Sequence, residues 1–540
     1  MQTLAVTEGR LCSTITAGGE NPWDVILGLS DLALLPNQYY HVTFTASADA
    51  DRKVRFKTGL GAAPYTDYFI KTVTLTATPT VFDFTYLNLR DDPTGQIQFH
   101  IGGSAGTVCF DDIVLEPVAA PVTQPYVTPS LTGNALKAHA AVVKMGVAVD
   151  TPTFLSRPDH NAIVAGEFSM ITPANSMKMN LIQPTQGVFD YTDTDALYAW
   201  AQTNGLEFRG HPLVWHTQVP AWLNDGMFDR DQMIEIMYGH IDALTQHYPN
   251  LPYWDVVNEA IENGDAGWGF RPTIWHDRIG PDFIDLAFQR ARMNLPTAKL
   301  AYNDYNIEVM GNAKADRVFE LVSDMKTRGI PIDAVGFQSH YYVSPDGSTG
   351  GVPDVSKIKA NMDRYAAIGV EVQITECDFR IGKPSSAEKV ALQDKFYADL
   401  LQACIDAPNC SQYTLWGLSD FDSWVPSTFP EFDFAHVFDA SFAAKSSYHA
   451  LTNVFAQYPV DGVPGAGGAG GSAGTGGTGA GTGGAAPGTG GSGSPAAASK
   501  ESSSCAVSPG LISGPVPWYV AGLSLLGLAL GFRRARKRSS

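Results

Sequence analysis

Residues 206–215, LEFRGHPLVW, start as an apolar strand and end in a cluster of polar and aromatic side chains that includes His211 and Trp215. The same grammar recurs in GVAV from Gly146, FSMIT from Phe168, YWDVVNE from Tyr253, LAYNDYN from Leu300, AVGFQSHY from Ala334, VEVQITECD from Val370 and YTLWGLSD from Tyr413. Amphipathic helical stretches, such as DQMIEIMYGHIDALTQHY at 231–248 and KADRVFELVSDMKTRG at 314–329, separate several of them. Eight units of strand then helix predict an α/β fold, a (β/α)8 TIM barrel, over 131–458. In such a barrel the C-terminal strand tips converge on one mouth, which is where an active site is built.

Working outward, residues 1–118 read as short strands of period two, among them YYHVTFTASA (39–48), VFDFTYLNL (81–89) and QIQFHIGG (96–103). They predict an antiparallel β-sandwich of jelly-roll type. A Pro-rich spacer follows at 119–130, and a Gly/Ser/Ala linker at 459–504. Seventeen of the 53 glycines fall between Gly462 and Gly493, so the low complexity is local. The 43 residues of 462–504 have a random-coil reach of about 36 Å. Residues 505–540 carry 22 uncharged residues, 511–532, ahead of RRARKR at 533–538. That length spans a bilayer and the basic end stays cytoplasmic, which predicts a transmembrane, cell-surface anchor with everything upstream extracytoplasmic. No signal peptide is visible at the given start, so the reading places the true N-terminus upstream of Met1.

The chain has 540 residues and a net charge of 36 − 55 = −19, with 17% charged residues. This balance argues against nucleic acid or an anionic surface as the partner of the folded part and favours an uncharged substrate. The six cysteines, 12, 109, 377, 404, 410 and 505, contain no CxxC pair. Cys404 with Cys410, and Cys12 with Cys109, are candidate disulfides, with buried free thiols as the alternative.

Two carboxylates stand at predicted strand tips, Glu259 in WDVVNEA and Glu376 in QITECD. The fourth and seventh tips face each other across the mouth. A facing pair is what glycosidic cleavage requires: one carboxyl protonates the leaving oxygen, and the other attacks the anomeric carbon or activates water. Trp215, Trp416 and Trp424 offer apolar faces for sugar rings. Asn175, Lys178, His211, Gln218, Asn258, Gln338 and His340 offer hydrogen bonds to hydroxyls. His211, His216 and His340 lack the spacing of a metal site, so hydrogen bonding is their expected role, with no metal and no cofactor.

Seven blocks, NSMK (175–178), RGHPLVWHTQVPAW (209–222), WDVVNEA (254–260), NDYN (303–306), GFQSHY (336–341), ITECD (374–378) and LWGLSDFDSW (415–424), make residues 131–458 resemble glycoside hydrolase family 10, the retaining endo-β-1,4-xylanases. The resemblance implies that Glu259 is the general acid/base, Glu376 the nucleophile, and Asn258 the contact to the sugar 2-hydroxyl. His340 and Asp378 would hold and tune Glu376. Lys178, His211, Trp215, Gln338, Trp416 and Trp424 would line the glycone subsites. The Cys404 and Cys410 pair resembles a disulfide of that family. Xylan and xylo-oligosaccharides are the implied substrates, and a monomer is the expected state. Three departures stand out: Ala174 and Met179 occupy positions where the family has Glu and Trp, and Cys377 stands where it has Leu. Ala174 leaves a distal glycone subsite short of a hydrogen-bonding partner, and Cys377 is apolar enough to pack in the barrel. The alternatives are an endo-hydrolase of another β-1,4-glycan and a non-catalytic polysaccharide-binding surface protein.

Through NPWDVILG (21–28), YYHVTFTASAD (39–49) and GTVCFDDIVLEP (106–117), the N-terminal region resembles carbohydrate-binding modules of families 4 and 9, implying a plant cell-wall polysaccharide as its partner. The first strand of that fold is missing from the reading. Trp23, Tyr65 and Tyr68 are its candidate stacking residues. The tail resembles the MYXO-CTERM surface-sorting type, with processing near Cys505.

Overall fold

A computed structural model describes residues 1–122, 125–263, 269–458 and 460. The predicted linker at 459–504 and anchor at 505–540 therefore lie outside the described residues, Val460 excepted. Among the described residues no helix is long and apolar enough to cross a membrane.

The N-terminal module has nine strands: β1 (Gln2–Thr7), β2 (Arg10–Ile15), β3 (Ile26–Leu34), β4 (Gln38–Ala48), β5 (Arg52–Gly59), β6 (Asp67–Leu75), β7 (Thr80–Asn88), β8 (Asp92–His100) and β9 (Gly106–Val118). They form two antiparallel sheets, β1-β2-β9-β4-β7 and β3-β8-β5-β6. Alternation explains the layering. In β4, Tyr40, Val42, Phe44 and Ala46 are buried, and Phe44 packs on Phe56, Phe82 and Phe99 at 5.0–6.1 Å between ring centres. The opposite face of β4 is polar, with His41 bonded to Asp83 at 3.0 Å. Cys12 and Cys109, register partners on β2 and β9, are joined in a disulfide.

The larger domain closes as a barrel of eight parallel strands, β10 (Lys144–Val149), β11 (Met170–Pro173), β12 (Glu207–Gly210), β13 (Tyr253–Asn258), β14 (Lys299–Asp304), β15 (Ala334–Phe337), β17 (Glu371–Gly382) and β18 (Cys410–Leu415). Pairing of β10 with β18 and of β15 with β17 completes the ring. A short strand, β16 (His340–Val343), lies along the upper half of β17. Each barrel strand overlaps one of the eight sequence stretches. The helices start where the sequence offers caps: Asp229, Asn312, Asp354 and Ser386 each accept a hydrogen bond from a first-turn amide, satisfying donors the helix itself leaves free. Cys404 is joined to Cys410, the first residue of β18, and Cys377 is a buried free thiol.

Inside the barrel, Arg209 is fully buried and donates to Asp255, Gln373 and Gln412. Asp255 also binds His211 Nδ1 at 2.9 Å. A buried guanidinium is tolerated because its donors are taken up by acceptors from three strands. This layer forms the floor of the mouth above it.

The module rests on the rim made by the connections after β18, β10 and β11. Arg90 donates to Asp193 at 2.6 Å and Asp190 at 3.2 Å. The Leu87 amide donates to Ser156 Oγ at 2.8 Å, and the Lys71 ammonium lies 4.6 Å from the Phe421 ring centre. Part of the Pro-rich spacer is also bound down. Tyr126 donates to the buried Glu167, which accepts from Tyr448 and from the Leu136 amide as well.

Candidate active site

Glu259 follows the last residue of β13, and Glu376 lies within β17. The Glu259 backbone is left-handed, with φ 58°, a conformation that costs a side-chain-bearing residue about 1–3 kcal/mol and is typical of functional positions. Its carboxyl accepts from Trp215 Nε1 at 2.9 Å, Gln338 Nε2 at 3.0 Å and Asn258 Nδ2 at 3.2 Å. All three donors are neutral.

Glu376 has a different setting. Its Oε1 accepts from Asn303 Nδ2 at 2.8 Å, and its Oε2 faces His340 Nε2 at 3.2 Å. Parallel pairing of β16 with β17 sets His340 beside Asp378, and the Nδ1 to Oδ2 distance is 2.9 Å. Burial alone would depress the His340 pKa, but Asp378 and, after it, Glu376 outweigh burial and lift it to about 10. The imidazolium therefore persists through neutral pH. Burial pushes Asp378 up and His340 pulls it further down, for a net depression. Asp378 also accepts from Trp424 Nε1 at 2.8 Å, which fixes the indole over the site.

The two carboxyls are linked by amides. Asn303 Nδ2 also donates to Asn258 Oδ1 at 2.8 Å, and Gln338 Nε2 spans Asn258 Oδ1 and Glu259 Oε1. Lys178 closes one wall, with Nζ bonded to Asn175 Oδ1 at 3.1 Å and 4.7 Å from the Trp215 ring centre. Burial lowers the Lys178 pKa to about 8, opposed by Glu376, Glu259 and Asp150.

Ten residues named from the sequence line one narrow cavity: Lys178, His211, Trp215, Asn258, Glu259, Gln338, His340, Glu376, Trp416 and Trp424. Three others do not. Asp378 is buried behind His340. Asn175 turns its amide to Asp150 at 3.0 Å. Gln218 sits in a left-handed turn whose carbonyl accepts from the Asn180 amide. A wider hollow at the opposite end of the barrel has no free carboxylate pair, because its Asp333 is bound by Arg292 and the Leu300 amide. Among the described residues no group of three His, Cys, Asp or Glu side chains is placed to hold a metal.

The sequence blocks contain Asn303 without giving it a role, and the reading of strand tips passes over Asp150 and Arg271. Asn303 is legible as a fifth strand tip. Asp150 supplies a carboxylate to Asn175, beside Ala174, where the departure from the family pattern predicts a deficit. In the module, Tyr68 is buried with its hydroxyl on Asp92 and Arg90 over its ring, so it packs the seam rather than presenting a face. Trp23 is half-buried and Tyr65 exposed. The sheet face opposite the core carries a polar row that sequence reading misses: Arg55 and Lys57 on Asp67, and His100 on Gln98.

The model of glycosyl hydrolase family 10 matches residues 134–454. The chain belongs to glycosyl hydrolase family 10. A carbohydrate-binding domain model matches residues 2–107, so this family 10 protein carries an N-terminal carbohydrate-binding module. It is 36% identical over 321 residues to endo-1,4-beta-xylanase A of Phanerodontia chrysosporium, covering 59% of this chain and 76% of that one. It is also 36% identical to endo-1,4-beta-xylanase 2 of Aureobasidium pullulans, covering 54% and 81%. Among solved structures, xylanase 10B from Thermotoga petrophila in complex with xylobiose superposes with a TM-score of 0.56 at 30% identity, covering 60% of this chain and 97% of that chain.

Proposed function

We propose that the chain is an endo-1,4-β-xylanase that cleaves xylan by double displacement. The observation that carries this reading is the unequal setting of the two carboxyls. Glu376 faces the His340 imidazolium, whereas Glu259 is held by N–H donors of Trp215, Gln338 and Asn258, so two carboxyls with different partners share one cavity, as the two roles of a double displacement require. In the first step Glu376 bonds to the anomeric carbon while Glu259 protonates the departing oxygen. In the second, Glu259 takes a proton from water, which displaces Glu376. Xylobiose in the Thermotoga petrophila structure and the xylanase names of the relatives support xylan as the substrate. NMR of the first-formed sugar tests the mechanism: the β-anomer is expected, and the α-anomer would rule out Glu376 as nucleophile. Reducing-sugar release from xylan against soluble β-glucan tests the substrate.

We also propose that the tail tethers the enzyme at the cell surface, on the strength of the uncharged 511–532 stretch and the basic residues after it. Deleting 505–540 should move xylanase activity into the medium. An unchanged distribution would count against the tether.

A further inference from the structure

The left-handed backbone at Glu259 does not hold itself. The Glu259 amide donates to the Asn303 carbonyl at 2.9 Å, and the Ala260 amide donates to the Tyr302 hydroxyl at 3.1 Å, so β14 secures one side. The Glu259 carbonyl accepts from Arg271 Nε at 3.0 Å, from a segment that returns to the barrel after β13. That segment is itself pinned: the Arg271 amide donates to the Ala260 carbonyl at 2.7 Å, and Ile261 bridges Phe270. The same guanidinium donates through Nη2 to the Tyr305 hydroxyl at 2.9 Å. We infer that Arg271 is a positioning residue for Glu259, holding its peptide in the left-handed conformation that aims the carboxyl at Trp215 and Gln338. The inference rests on Glu259 being the acid/base.

The planar fork explains the residue type. One guanidinium edge meets the Glu259 carbonyl while another nitrogen meets Tyr305, so both anchors are held at once by a rigid fork; an ammonium is a single compact donor centre without that span. Release of the carbonyl lets the peptide relax toward the common backbone regions, which swings the Cα–Cβ bond and displaces the carboxyl. Glu376 is untouched by this, because Asn303 and His340 hold it. The damage therefore falls on proton delivery. When the C1–O bond breaks, Glu376 supplies the electron pair to C1 and the leaving oxygen takes the Glu259 proton. A dinitrophenolate leaves without that proton.

The test compares kcat/KM of the full chain on phenyl and 2,4-dinitrophenyl β-xylobiosides for the wild type, Arg271→Met, Arg271→Lys and Glu259→Ala. Arg271→Met should lose about 100-fold on the phenyl glycoside, the scale of a 1 Å misplacement, and under about threefold on the dinitrophenyl glycoside. Arg271→Lys should fall between Met and wild type. The ratio of the two substrates within one preparation is independent of how much enzyme is folded. Equal losses on both substrates, or no loss on either, would overturn the inference. Glu259→Ala separates the layers: if it loses equally on both glycosides, the acid/base reading fails. If it is selective and Arg271→Met is not, only the role of Arg271 falls.

Discussion

Replacing His340 by asparagine removes the cation between Glu376 and Asp378, and its cost can be worked from the site. The His340 pKa rises from 6.5 to about 10, which at 1.36 kcal/mol per unit is an upper bound of about 5 kcal/mol. The depression of Asp378 is the same attraction seen from its other partner and is not added. A raised histidine pKa stabilises the fold fully below pH 6.5, and that contribution drains away as pH climbs through about 10. At pH 6 the variant should be less stable by about 3–5 kcal/mol, because two buried carboxylates lose their counter-charge. By pH 10 the gap should shrink by more than half. Lys178, depressed to about 8, contributes a slope of opposite sign that the difference between the two proteins largely removes. Urea unfolding followed by tryptophan fluorescence reports on the barrel, where most tryptophans lie. Parallel stability curves from pH 6 to 10 would refute the assignment of a buried imidazolium.

Asn303→Ala should lower kcat/KM on xylan about 10- to 100-fold, since one amide bonds both Asn258 and Glu376; wild-type kinetics would show that another donor replaces it. Arg90→Ala leaves Asp190 and Asp193 unpaired at the module seam and should cost about 2 kcal/mol. Calorimetry should then show the module melting apart from the barrel, and an unchanged thermogram would contradict the docking. The Cys12–Cys109 bridge spans a sequence separation of 97 and Cys404–Cys410 one of 6. Replacing the first pair by serine should therefore destabilise its domain by about 4.7 kcal/mol and the second by about 2.3 kcal/mol, with equal losses in denaturant midpoints arguing against the loop-entropy account.

The barrel was legible because its eight strand stretches share one order, apolar residues before a polar tip, and because closing a parallel sheet forces those tips to a common mouth. That logic reached Glu259, Glu376 and most of the cavity wall from the sequence alone. It reached the sandwich too, through the period-two burial of β4 and its neighbours. What it did not reach depends on approach between segments far apart in the chain. The resemblance pairs His340 and Asp378 with Glu376, but the register of β16 on β17 sets the short distance to Asp378 that, together with Glu376, keeps an imidazolium there. The return of the chain after β13 brings Arg271 to the Glu259 carbonyl, 12 residues away in sequence yet aimed by a backbone conformation that no residue pattern announces. Asp150 reaches Asn175 from the neighbouring strand tip, and Arg90 crosses 100 residues to Asp190. Periodicity reports which face of an element is buried, because that is a local consequence of hydrophobic burial. Hydrogen-bond partners and shifted pKa values are set by distances of a few ångströms between elements, and tertiary packing alone decides those.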